Sequence, residues 1–130
     1  MNKKVYTGAR LLLGLAFFVF GLNGFLQFMP IPPVTAEAGA LLGELGKTGY
    51  FFPMIKLIEM TVGVLLLSNL FAPLAVVLIT PVLIGITTIH LFLNPAGIPM
   101  MVVLHAIHGV VAFGFRGYYS SVLTRKANPS

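Results

Sequence analysis

The sequence predicts an all-α integral membrane protein: a four-helix bundle of transmembrane helices with antiparallel neighbours. Three observations carry this reading. Of 130 residues, 58% are hydrophobic and only 8% charged, whereas a soluble domain carries about a quarter charged residues to meet water. The mean hydropathy of +0.99 agrees. The apolar residues also fall into four runs, each near the roughly 20 residues that cross about 30 Å of hydrocarbon. Finally, proline and asparagine cluster between the runs, where helices stop.

The first span is expected at about residues 6–28, ending before PIPPV, since proline cannot continue a helix and biases its predecessor toward extended backbone. The others are expected at about 50–70, 73–93 and 99–119, separated by a short Asn69–Pro73 connection and by NPAGIP. Pro53, Pro73 and Pro99 suit helix starts, where a missing N–H costs little. Pro81 lies inside the third span, where Thr80 or a neighbouring helix would help satisfy the freed carbonyl. Connections this short allow only antiparallel neighbours, so a single membrane domain over 1–130 is expected. Between the first two spans, VTAEAGALLGELGK at 34–47 reads as a short amphipathic helix on the outer surface, with Leu41, Leu42 and Leu45 facing the bundle. MNKKVYTGAR with the following apolar run also has the outline of a signal peptide, and Ala36-Glu37-Ala38 that of a cleavage site. The run is too long for that reading, and three prolines separate it from the site.

Lys3, Lys4, Arg10, Arg116, Arg125 and Lys126 lie near the two chain ends, which four spans return to one side. The positive-inside rule makes that side cytoplasmic. The net charge of +5 is thus scattered over helix ends and does not indicate nucleic acid. Cysteine is absent, which excludes disulfides and thiolate ligation. Aspartate is absent too, and no serine or cysteine arrangement offers a hydrolytic nucleophile.

Strongly polar groups within the spans are few: Asn23, Gln27, Lys56, Glu59, His90, His105 and His108. Such groups are expensive in lipid and usually face the bundle interior. All four spans contribute such groups within roughly 5–14 Å of the predicted outer boundary. Asn23 and Gln27 are i,i+4; Lys56 and Glu59, like His105 and His108, are i,i+3, so each pair shares a helix face. A polar pocket in the outer half of the bundle is therefore expected. Glu59 would handle protons, with Lys56 as its charge partner and His90 as its hydrogen-bonding partner. Three functions compete: a quinone or other amphipathic ligand bound from the outer leaflet, a haem or metal held by the histidines, and a non-catalytic assembly subunit. Interhelical hydrogen bonding alone also accounts for His105 or His108.

The order of features resembles the DoxX-like family of small bacterial membrane proteins. The first helix carries Phe17 to Phe25 (FVFGLNGF within it), the second Glu59 followed by Gly63, and the third ends on His90 in IHLFLNP. The match covers about residues 8–118. The resemblance implies a multi-pass inner-membrane protein, related to the DoxD subunit of thiosulfate:quinone oxidoreductase. It also implies redox-associated partners in the membrane or periplasm, and weight on Glu59 and His90. Two departures stand out: many relatives have a lysine soon after the first-helix glycine, here Gly24, and a glycine pair after the glutamate, here Val62-Gly63. Quinone is the cofactor the resemblance suggests; homo-oligomers are an open alternative among partners.

Overall fold

A computed structural model describes residues 2–130. The described residues form five α-helices: α1 (Lys3–Leu26), α2 (Ala36–Lys47), α3 (Phe51–Ser68), α4 (Ala72–Leu93) and α5 (Ile98–Gly114). Single 3₁₀ turns precede and follow α5, and no strand occurs among the described residues. Four helical segments, Lys3–Leu26, Phe51–Ser68, Ala72–Leu93 and Pro95–Gly114, are long and apolar enough to cross a membrane. The protein is a multi-pass membrane protein built as a helical bundle.

Local chemistry sets the helix ends. The Asn2 side chain accepts the Val5 N–H at 3.1 Å and caps α1. Pro53, Pro73 and Pro99 all stand in first turns, where no intrahelical donor is lost. The α1 helix stops two residues before the predicted Phe28, because Gln27 turns left-handed (φ 51°) and its N–H bonds back to the Asn23 carbonyl. The α3–α4 turn passes through left-handed Asn69 and Phe71; asparagine adopts this conformation readily, while a phenylalanine there carries strain.

The fourth span ends at Gly114 and does not continue to Tyr119 as expected. Gly114 and Gly117 are poor helix formers. Arg116 also donates to the Phe113 carbonyl at 2.8 Å and stacks 4.1 Å over its ring, satisfying the end of α5. Beyond it, the Tyr119 hydroxyl donates to the Pro73 carbonyl at 3.4 Å. Burial pushes that phenol pKa up, so the O–H stays a donor.

The spans form a ring in the order α1, α3, α4, α5, with α5 closing on α1. The most extensive contact joins α1 to α3. Leu13, Phe17 and Gly21 of α1 form a buried stripe four residues apart, facing Glu59, Val62, Gly63 and Leu66 of α3. A Cβ on Gly21 would come 2.8 Å from the Met60 amide nitrogen, and one on Gly63 would come 2.6 Å from that of Phe18. Only hydrogen lets the two backbones approach this closely, as small residues do at membrane helix interfaces. Large apolar side chains such as Leu12, Leu57, Leu78 and Val102 point outward and are exposed. That distribution suits lipid, which gives outward apolar groups no penalty.

The amphipathic helix predicted at 34–47 forms as α2 and packs against α3 and α4. Its inward face is Ala38, Leu42 and Leu45, a spacing of four and three; Leu41 is exposed, contrary to expectation. One residue's rotation separates these outcomes, and Thr35 sets it. The Thr35 hydroxyl accepts the Ala38 N–H at 3.2 Å and donates to the Leu93 carbonyl at the end of α4. Thr35→Val should therefore cost about 1 kcal/mol, read as a lower detergent-solubilised Tm with faster proteolysis between α1 and α3. Unchanged proteolysis would show that α2 docks without this cap.

Candidate functional site

Lys56 and Glu59 lie one turn apart on α3 and form an ion pair, Nζ to Oε2 at 3.1 Å. Glu59 is 2% exposed, while the Lys56 side chain is 27% exposed. The lysine stem runs over Gly24 of α1, where any Cβ would overlap it. Its charge thus reaches the carboxylate from the rim of the α1–α3 seam. Lys56 is the one hydrogen-bonding side chain that Glu59 meets among the described residues, and the expected bond to His90 is not made.

Asn23 and Gln27 do not join this pair. The Asn23 side chain accepts the Met29 N–H at 2.7 Å and lies 3.3 Å from the Met29 carbonyl as donor. It closes the chain reversal after α1, using its amide for a local turn as asparagine commonly does. Gln27 is exposed, just beyond the helix.

His90 serves the other turn at this end. His90 Nδ1 lies 3.1 Å from the side-chain amide nitrogen of buried Asn94 and 3.4 Å from the Asn94 backbone carbonyl. The ring also rests on Gly97, where a Cβ would collide with it. His90 is thereby held by the turn that joins α4 to α5.

His105 and His108 point from α5 to two threonines of α4. His105 Nε2 is 2.7 Å from Thr87 Oγ1, and His108 Nε2 is 3.1 Å from Thr80 Oγ1. Each threonine hydroxyl donates to its own helix, Thr87 to Leu83 and Thr80 to Val76, both at 2.7 Å. The histidines must then be the donors, through Nε2–H. His108 also comes within 3.3 Å of the Val76 carbonyl. The Thr80–His108 pair lies beside Pro81, which supplies no N–H to α4. Thr87 was not a sequence candidate. Its signal was there, since Thr80 and Thr87 are seven residues apart on one face and the histidines share another.

The seven polar residues therefore do not converge on one outer pocket. They divide among the α1–α3 seam, two interhelix turns and an α4–α5 ladder. Among the described residues, no three His or Glu side chains stand close enough to hold a metal ion. Two grooves do open. One, of about 320 Å³, lies between α4 and α5, lined by Thr87, Leu91, Ile98, Met101, Val102 and His105. The other, of about 230 Å³, lies at the opposite end, between the start of α1 and the end of α5. Beside it, Arg10 donates to the Leu66 and Leu67 carbonyls, a cation on the free carbonyls of the α3 C-terminus. In the sequence Arg10 registers only as an orientation charge.

No family model, curated protein or solved structure matches this chain.

Proposed function

We propose that the protein is a DoxX-like module of the bacterial inner membrane that binds an amphipathic ligand, a quinone by class, in the groove between α4 and α5. The observation that carries this is the groove's wall: apolar side chains with a single histidine–threonine pair set into it. Such a wall suits the reduced, quinol form of that class, whose ring hydroxyl can donate to the free imidazole nitrogen while its tail lies on the apolar wall. His105 uses Nε2 on Thr87 and retains Nδ1 for a ligand hydroxyl. Thr80 and His108 brace the same two helices one layer further in. Glu59 belongs to α3, diagonal to α5 in the ring, so in this reading it secures the seam and does not meet the ligand. Both chain ends are taken as cytoplasmic, from the basic residues there. Redox-associated membrane or periplasmic partners follow from the family resemblance.

Binding of a short-chain quinol to the purified protein, followed by calorimetry, tests the reading. His105→Leu should weaken it about five- to tenfold, the loss of roughly 1 kcal/mol of hydrogen bonding. Thr87 keeps its bond to Leu83 in that variant, so the helix is undisturbed. Wild-type affinity in both His105→Leu and the groove-filling Val102→Phe would sink the proposal.

A second reading, an assembly subunit, is favoured by one observation. Gly85 of α4 and Gly109 of α5 both have open space where a Cβ would stand, room for a neighbouring helix.

A further inference from the structure

The groove between the first turns of α1 and the end of α5 is lined by Lys3, Tyr6, Thr7 and Arg10, by Asn69 of the α3–α4 turn, and by the α5 backbone at Gly114. We propose that it binds the phosphate of an anionic phospholipid headgroup. This rests on the chain's being a multi-pass membrane protein and is independent of the ligand assigned to the α4–α5 groove.

Charge distribution is the first support. Lys3, Lys4, Arg10 and Arg116 all stand at this end of the bundle, while the acidic side chains do not. Glu37 and Glu44 lie on α2 at the opposite end, and Glu59 is paired to Lys56. No carboxylate side chain neutralises the groove. The donor set is the second support. Lys3 Nζ, the Tyr6 hydroxyl, the Thr7 hydroxyl and the Asn69 amide make no side-chain hydrogen bond to the protein among the described residues. Arg10 engages the α3 carbonyls through one terminal nitrogen, Nη1, which leaves its other N–H groups for an anion. Depth is the third. These residues occupy the first two turns of a spanning helix, where headgroup phosphates lie, and basic pockets between transmembrane helices at this level suit anionic lipids. The volume of about 230 Å³ accepts a phosphate with its ester oxygens, and exposed apolar residues such as Leu11 and Leu12 continue outward along α1 for the acyl chains.

The phosphate could belong to a lipid or to a free anion, and the experiment separates the two. The full-length protein is equilibrated in detergent with equal amounts of phosphatidylglycerol and phosphatidylcholine, and bound lipid is counted by native mass spectrometry. Wild type should retain phosphatidylglycerol preferentially. Lys3→Gln should lower that preference about fivefold, the loss of one lysine at a lipid phosphate, and Lys3→Gln with Thr7→Val further. Lys4→Gln removes the same charge outside the groove and should leave the preference intact. Equal losses in Lys3→Gln and Lys4→Gln would mean that diffuse charge attracts the lipid, and would overturn the site. Absence of any preference in wild type would overturn it too. Displacement of phosphatidylglycerol by inorganic phosphate, with phosphate bound in its place, would assign the groove to a free anion and overturn the lipid proposal.

Discussion

Lys56→Met is expected to destabilise the protein by roughly 3 kcal/mol, within the range for removing one partner of a buried ion pair. The size follows from the asymmetry of burial. Glu59 is 2% exposed with Lys56 as its partner, so the variant strands a carboxylate inside the bundle. Glu59→Gln should cost less, about 1 kcal/mol, because the lysine it leaves is partly exposed and its stem can carry the charge outward. Removing both, as Lys56→Met with Glu59→Leu, should recover most of the loss, since a packed apolar pair often matches a buried ion pair. Denaturant unfolding of the four proteins in one detergent measures these differences. Equal, small effects of the two single variants would show that water or lipid headgroups already solvate Glu59.

Gly63→Ala and Gly21→Ala should each cost about 1–3 kcal/mol, the range for overpacking a filled interface. The new methyl group would meet backbone atoms of the facing helix within 3 Å, and backbone cannot rotate aside as a side chain does. The α1–α3 seam must open along its length, carrying the Lys56 stem off Gly24. Gly109→Ala provides the internal comparison. Its Cβ meets open space, so better helix propensity should leave stability unchanged or raise it slightly. Should Gly63→Ala and Gly109→Ala unfold alike, the close approach of α1 and α3 is wrong. Distances between spin labels on the two helices give a second readout, expected to lengthen in Gly63→Ala only.

Span number and boundaries were largely legible because lipid imposes one dominant requirement, a long apolar helix with its backbone bonded internally. Proline and asparagine then mark where each helix stops. The error at the fourth span has a local cause: apolar Phe113, Phe115 and the tyrosines continue the hydropathy past Gly114, while the Arg116 contacts end the helix. The polar residues were legible as positions along each helix and not in direction. Glu59 and His90 were expected to meet, yet His90 is taken by Asn94 four residues on, and Glu59 by Lys56 three residues before. Local partners win because they require no long loop to close.

By itself, then, the sequence determined the apolar surroundings, the four spans, the surface helix and the position of each polar group along its helix, since each depends on composition or on order along the chain. The tertiary structure decided which way each helix faces. That rotation is set by the glycine seam of α1 and α3 and by the threonine–histidine ladder of α4 and α5. Packing between helices fixes azimuth, and azimuth separates groups that depth alone had placed together.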